Sequence, residues 1–182
     1  GFTLTNGARV SRNETAVLFK KPGADAVISV AKLLRGEQHG DTTIVVDHAV
    51  PECDSNEIIK TVLEDKARGI FQGKVIVRPG AYGTDGRQAS NALLLSDEAE
   101  MDSKPELEIY NDDVQCAHGA TVGEIDEDML FYLRARGIPL KEAEALLVQA
   151  HVGGALETIQ SENLKSAMTD LAVRWLARRV VS

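Results

Sequence analysis

Cysteines are scarce in this sequence of 182 residues, which contains only Cys53 and Cys116. Two cysteines cannot form the network of disulfides that stabilises many small secreted domains. Free thiols are typical of a reducing compartment, and we expect a cytoplasmic protein. The ordinary alternative for either thiol is a buried small apolar side chain, and this interpretation is favoured for Cys53.

Aromatic residues make up only 4 % of the sequence although apolar residues make up 43 %. The core must therefore be built mainly from Val, Ile, Leu and Ala. The formal net charge is −8, which argues against free binding to nucleic acid because phosphate neutralisation requires a basic surface. No apolar run is long enough to span a bilayer, so we expect no transmembrane helix, and the first residues show no signal-peptide pattern.

The common catalytic motifs are also missing. The sequence has no Walker loop, no G-x-S-x-G, no H-E-x-x-H and no Cys-x-x-Cys. The glycine-rich stretch 80–86 is interpreted as a turn, because no change from strand to helix follows it. The acidic stretch 96–102 is interpreted as a solvated bend.

Residues 1–123 are predicted to form short strands separated by turns. Many segments are rich in Val, Ile and Thr, and Gly, Pro, Asn and Asp lie between them. Their spacing fits a sandwich, a barrel or a solenoid. The sequence has no exact repeat, but a solenoid of irregular coils with one strand on each side is compatible with this spacing. The predicted strands are Ala16–Phe19, Ala26–Val30, Thr42–His48, Glu57–Leu63, Gly73–Val77, Ala92–Leu95, Leu107–Tyr110 and Val114–His118. The run Ile28–Leu34 is interpreted as a strand, with a helical turn as the alternative.

Residues 124–182 are predicted to form a separate helical region. The first helix covers Met129–Arg136, with Asp126 as N-cap and Gly137 after its end. The second covers Lys141–Val152 and ends at Gly153 and Gly154, and the third covers Ser161–Arg179. Helical periodicity assigns an apolar face to each of the last two. These faces are Ala143, Leu146, Leu147 and Ala150 in the second helix, and Leu164, Ala167, Met168, Leu171, Ala172 and Trp175 in the third.

The densest group of polar residues lies in Lys104–Gly123. If Val114–His118 is a strand, Cys116 and His118 project from the same face. A thiolate and an imidazole suit iron, zinc or an iron–sulfur cluster, but two donors are too few for a closed structural metal site. A site shared across a subunit interface fits two donors better. By spacing alone, a surface histidine and a buried cysteine are the more frequent interpretation; for His48, a core or edge histidine is favoured over a ligand.

Long runs of the sequence resemble a known family. The runs Arg68–Gly80, Asn91–Asp102 and Lys104–Ile138 are similar to the SufB/SufD family of iron–sulfur cluster assembly scaffold proteins. The resemblance covers Thr42–Ile138 strongly and the helical tail more loosely. The run Cys-Ala-His-Gly-Ala-Thr-Val-Gly at 116–123 is similar to the SufD branch, whereas SufB carries a His-Glu pair after its cysteine.

The resemblance implies a scaffold that is not an enzyme by itself, together with a fold and a set of partners. Family members have an N-terminal helical region, a right-handed parallel β-helix and C-terminal helices, so this chain would hold later β-helix coils at 1–123 and the helical region at 124–182. The β-helix would pair with SufB, and the helices would dock the SufC ATPase. His118 would be the first metal ligand for a nascent iron–sulfur cluster or iron, with Cys116 as its companion. This cargo would be transient and shared with SufB, with none stably bound to the isolated chain; FAD has no readable motif.

Two other functions remain open on the residues alone. One is an independent metalloenzyme on a β-solenoid or a cupin-like barrel, which would need further ligands beyond Cys116 and His118. The other is a structural partner module in which these two side chains have no role. A truncated solenoid exposes its first coil, so we also expect the isolated fragment to form homodimers or aggregates.

Overall fold

The computed structural model describes the backbone of residues 1–181 and the side chains of residues 1–177, and it shows a parallel β-solenoid followed by three helices. Nine strands form two parallel sheets. The first sheet contains, in spatial order, β1 (Phe2–Thr5), β3 (Asp25–Leu34), β5 (Asp54–Leu63), β7 (Thr84–Leu94) and β9 (Val114–Gly123). The second contains β2 (Val10–Phe19), β4 (His39–His48), β6 (Arg68–Val77) and β8 (Glu100–Ile109).

Each coil of the solenoid contributes one strand to each sheet. Asp25 pairs with Asp54, and Asp54 pairs with Asp85, so successive coils differ slightly in length. The uneven coil length explains why the sequence shows no exact repeat. The predicted solenoid is confirmed, with one strand on each side of every coil.

The eight predicted strands all correspond to observed strands, which are generally longer than predicted, and Ile28–Leu34 lies within β3. The short strand β1 was not predicted. Side chains alternate between the lumen of the coil and the outer faces, as the period of a strand requires. The lumen is filled mainly by aliphatic residues, with Phe71 as its largest fully buried apolar side chain.

The helices are α1 (Glu127–Arg134), α2 (Leu140–Leu156) and α3 (Glu162–Val181). Asp126 caps α1 as predicted, because its Oδ1 accepts hydrogen bonds from the backbone N–H groups of Asp128 and Met129 at 2.9 and 3.0 Å. Gly137 has a φ of 85°, which supports its predicted place after the helix end. Among the described residues, none of the helices combines the length and the apolar character of a membrane span. The change from strands to helices falls just after Gly123, and a domain boundary at that point stays a prediction.

The predicted end of α2 was wrong, because the helix continues through Gly153 and Gly154. Val152, Ala155 and Leu156 belong to the core cluster that includes side chains of β3 and β5. This burial outweighs the roughly 1 kcal/mol by which each glycine disfavours a helix. A Cβ atom at Gly154 would lie 3.1 Å from Cε of Lys60, so the glycine also permits a close approach to the sheet.

The apolar faces predicted for the last two helices were only partly right. In α2, Ala143 is buried, but Leu146 is 43 % exposed and Ala150 is exposed. In α3, Ala172 and Trp175 are buried, whereas Leu164 and Ala167 are exposed. The reason lies in the tertiary packing, because only the helix faces that point toward the first sheet are buried by other residues. The core cluster that joins the helices to this sheet contains Ala31, Leu33, Val62, Leu93, Val148, Val152, Ala155, Leu156, Ile159, Ala172, Trp175 and Leu176.

Candidate functional site

The last strand of the first sheet, β9, forms the open end of the solenoid. It pairs in parallel with β7 along Val114–Gly123, and among the described residues no strand pairs with its other edge. The chain leaves for α1 directly after it. An edge strand presents unpaired backbone N–H and C=O groups that can accept a strand of another protein.

Cys116 and His118 both lie on the lumen side of β9. Cys116 pairs with Gly86, and a Cβ atom at Gly86 would lie 3.3 Å from Sγ of Cys116 and 3.7 Å from Oγ of Ser55. Because side chains alternate along a strand, His118 projects from this same side, as predicted. The two side chains differ in access, since Cys116 is half-buried and His118 is exposed.

Cys116 lies against the apolar cluster that contains Val75, Leu107 and Val114. Burial raises the pKa of its thiol, and a hydrogen bond with the backbone of Gly86 opposes this effect only in part. The thiol is therefore protonated at neutral pH. Because the thiolate is the form that binds metal, the side chain would lose a proton on ligation.

A row of polar side chains runs beneath His118 inside the coil. In the register of the first sheet, Glu57 pairs with Gln88, and Gln88 pairs with His118. Nε2 of Gln88 donates a hydrogen bond of 2.7 Å to Oε2 of Glu57. Burial raises the pKa of Glu57 to about 7, although this hydrogen bond acts in the opposite direction. Both Glu57 and Gln88 are buried, and we call Glu57, Gln88 and His118 the lumen row.

Sequence reasoning missed Glu57 and Gln88. The sequence does contain a signal for Glu57. Every second residue of the predicted strand from Glu57 on, namely Ile59, Thr61 and Leu63, lies on the same inward face as Glu57. Gln88 lies in the part of β7 that was not predicted as a strand, so its face was not assigned. The juxtaposition of the two depends on the register between β5 and β7, which joins positions a full coil apart and which the chain alone does not reveal.

The other candidates have structural roles. His48 is buried in the lumen, where its Nε2 lies 2.9 Å from Oγ of Ser55 and burial lowers its pKa, so the predicted core histidine is confirmed. Cys53 is a fully buried free thiol, also as predicted. Within the described residues, no group of three or more His, Cys, Asp and Glu side chains is placed to hold one metal ion.

The glycine-rich stretch 80–86 and the acidic stretch 96–102, which were predicted to be a turn and a bend, are loops only in part. Gly80 and Gly83 have φ values of 86° and 68° in the turn before β7, but Gly86 lies within that strand and leaves room for Cys116. The acidic stretch 96–102 begins as a turn, and its last three residues, from Glu100 on, belong to β8.

Comparison with known proteins identifies the family. Residues 1–151 match the family model described as "SUF system FeS cluster assembly, SufBD core domain". The chain belongs to the SufB/SufD family. It is similar to the iron–sulfur cluster assembly protein SufD of Escherichia coli strain K12, with 38 % identity over 89 % of this chain and 38 % of that protein. The corresponding protein SufD of Bacillus subtilis strain 168 is 30 % identical over 94 % of this chain and 39 % of its own length.

A third relative, the SufBD family protein slr0076 of Synechocystis strain PCC 6803, is 34 % identical over 89 % of this chain and 36 % of its own length. The chain thus spans less than half of the length of these relatives. The similarity to the two SufD proteins confirms the resemblance to the SufD branch.

Proposed function

We propose that the chain is part of a non-catalytic scaffold subunit that takes part in iron–sulfur cluster assembly, and that β9 carries its contact with the nascent cluster. The observation that carries the proposal is the position of His118, which is exposed on the lumen face of an edge strand. Family membership supplies the chemical context, since the matching family model is described by iron–sulfur cluster assembly.

The partner in this proposal is SufB, which pairs with the open end of the solenoid. The free edge of β9 supplies backbone groups for strand pairing, as in other complexes formed by strand addition. Exposed apolar side chains at the same end, Ile109 and Val122, favour coverage by another protein. A partner seated here would place its own ligands beside His118 and Cys116, so that the coordination shell of the cluster is shared.

The ATPase SufC is the proposed partner of the helical region. The helix α1 has no buried residue, and Met129, Phe131 and Tyr132 expose their side chains on it. An apolar helical surface of this kind is typical of a docking site. A cytoplasmic location and the absence of a resident cofactor remain predictions of this proposal.

In the proposed chemistry the nascent cluster is cargo rather than a resident cofactor. His118 would offer one nitrogen of a neutral imidazole from an exposed position. Cys116 would contribute only after losing its proton, because burial raises the pKa of its thiol. We therefore place His118 first and Cys116 second as ligands from this side.

The test is the variant His118→Ala in the full-length protein, co-expressed with SufB and SufC. We expect the complex to be recovered normally by pull-down, because the side chain is exposed, and the iron and sulfide content of the complex to fall at least severalfold. His39→Ala, on β4 in the second sheet, is the matched control and should leave both quantities unchanged. Normal iron and sulfide in the complex with His118→Ala would overturn the ligand assignment.

A further inference from the structure

Within the described residues, two acceptor atoms of the lumen row are buried without a partner, Oε1 of Glu57 and Oε1 of Gln88. Gln88 is the one on β7, the strand beside the open end, and Glu57 lies one strand further in. Oε1 of Gln88 is buried and accepts no hydrogen bond within the protein, although Nε2 of the same amide donates to Glu57. An unsatisfied buried acceptor costs about 1–3 kcal/mol. Gln88 is 2 % exposed, so bulk water does not readily reach it. The arrangement calls for a donor close to this amide.

The fold keeps a space open for this amide. Gly73 on β6 lies across the lumen from Gln88, and a Cβ atom at Gly73 would lie 2.4–2.6 Å from the nitrogen, carbon and oxygen of the amide group. Any larger residue at position 73 would force the amide to move. Gln88 is therefore held between Gly73 on one side and Glu57 on the adjacent strand.

The register places His118 on the next strand beyond this orphan acceptor. Neighbouring strands are about 4.8 Å apart, and His118 and Gln88 project from the same face as register partners. Because Nε2 of the planar amide points to Glu57 on β5, Oε1 points away from β5. The β8 residue that pairs with Gly73 is Pro105, which has no polar side-chain atom to orient an imidazole.

We propose that Gln88 is a positioning residue for His118: when the exposed imidazole turns toward the lumen, Oε1 of Gln88 accepts a hydrogen bond from one ring N–H, and this bond directs the other ring nitrogen toward the cluster. Histidine ligands of metals regularly donate their second ring N–H to a carbonyl or a carboxylate, which fixes the tautomer and raises the basicity of the ligating nitrogen. Glu57 completes the row, since it accepts from the same amide and holds it in place. This inference deepens the proposed function and rests on it.

The test measures the tautomer of His118 in the full-length protein without SufB, from ring ¹⁵N chemical shifts. In the wild-type protein we expect one neutral tautomer to dominate, and in Gln88→Met we expect a mixture, since methionine fills the space without accepting as an amide does. Gln88→Glu combined with Glu57→Gln exchanges the two side chains, so the row keeps both an amide donor and an acceptor beside His118, and this double variant should restore the single tautomer. The matched control is Gln72→Met, at an exposed position next to Gly73, which should behave as the wild type.

A second measurement uses the assembled complex, in which normal recovery by pull-down shows that the variant has folded. In complexes with SufB and SufC, Gln88→Met should weaken loading of ferrous iron by about 10- to 100-fold, as loss of a partner to a ligating histidine does elsewhere. A wild-type protein with both tautomers populated as in free imidazole would overturn the inference without any variant. So would an unchanged tautomer in folded Gln88→Met. Neither result bears on the proposal that His118 is a ligand, because the iron content of the complex with His118→Ala tests that proposal separately.

Discussion

Positions 57, 88 and 118 occupy the same place in three successive coils, yet their surroundings differ completely. Glu57 and Gln88 are 0 % and 2 % exposed, whereas His118 is exposed on the last strand. In a solenoid each coil is covered only by its neighbours, so the terminal coil exposes what the inner coils bury. The same lumen-facing position is thus packed in the inner coils and accessible to a second protein at the end.

The comparison also supports the proposal that this chain supplies only two donors to a shared site. A polar side chain in a sealed coil has only groups of its own chain within reach, as Nε2 of His48 has Oγ of Ser55 at 2.9 Å. A side chain on the last coil can complete its interactions with a second protein. The half-complete donor set of Cys116 and His118 is therefore consistent with a shared site.

The largest predicted effect is on the free energy of unfolding. It arises because side chains in the inner coils are packed on all sides, whereas those in the last coil are not. Phe71→Ala removes the largest fully buried apolar side chain of the sealed lumen and should lower the free energy of unfolding by about 3–5 kcal/mol. Ile109→Ala, at a β8 position that is 42 % exposed, should lower it by less than about 1 kcal/mol. Urea-induced unfolding followed by circular dichroism measures both, and equal losses would contradict the comparison.

A second prediction concerns the carboxyl group sealed in the lumen row. The folded protein raises the pKa of Glu57 from its ordinary value of 4.5 to about 7. The folded state therefore binds more protons than the unfolded state between these values, and its stability falls as the pH rises through this window. Glu57→Gln removes this loss and should make the protein more stable than the wild type at pH 8, by roughly 3 kcal/mol at most.

The control for this prediction is Glu106→Gln, on the outer face of β8. Its side chain is exposed, so the substitution should change stability little at any pH between 4.5 and 8. Thermal or urea unfolding at a series of pH values gives the comparison. If the stability difference between Glu57→Gln and the wild type is independent of pH, the carboxyl group does not titrate in this window.

The sequence predicted the strand-rich region and the three helices, because both depend on local composition. Runs of Val, Ile and Thr between turn residues indicate strands without any knowledge of which strands pair. Asp126 marks the start of a helix by its side chain alone. The choice of a solenoid over a sandwich or a barrel came from the resemblance. Strand spacing is similar in all three, and coils of unequal length blur any repeat.

What the sequence did not predict depends on tertiary contacts. The helix α2 passes through Gly153 and Gly154 because the sheet buries Val152 and Ala155 on either side of them. For the candidate site, the pattern predicted that Cys116 and His118 share a face, but not that this face opens at the end of the lumen. The amide of Gln88 became visible only when the register of β7 and β9 was known.

The smallest predicted effect lies in the helix that follows the last coil. The helix α1 has no buried residue, whereas α2 has five, so α1 depends on local interactions rather than on the core. Asp126→Ala removes the acceptor of the two backbone N–H groups at its start and should destabilise α1 by about 1 kcal/mol. Amide hydrogen exchange should then quicken about fivefold within α1 and stay unchanged in β5 and β7. Asp126→Asn, which keeps a capping oxygen, should exchange as the wild type does, and unchanged exchange in α1 of Asp126→Ala would show that contacts beyond the cap hold this helix.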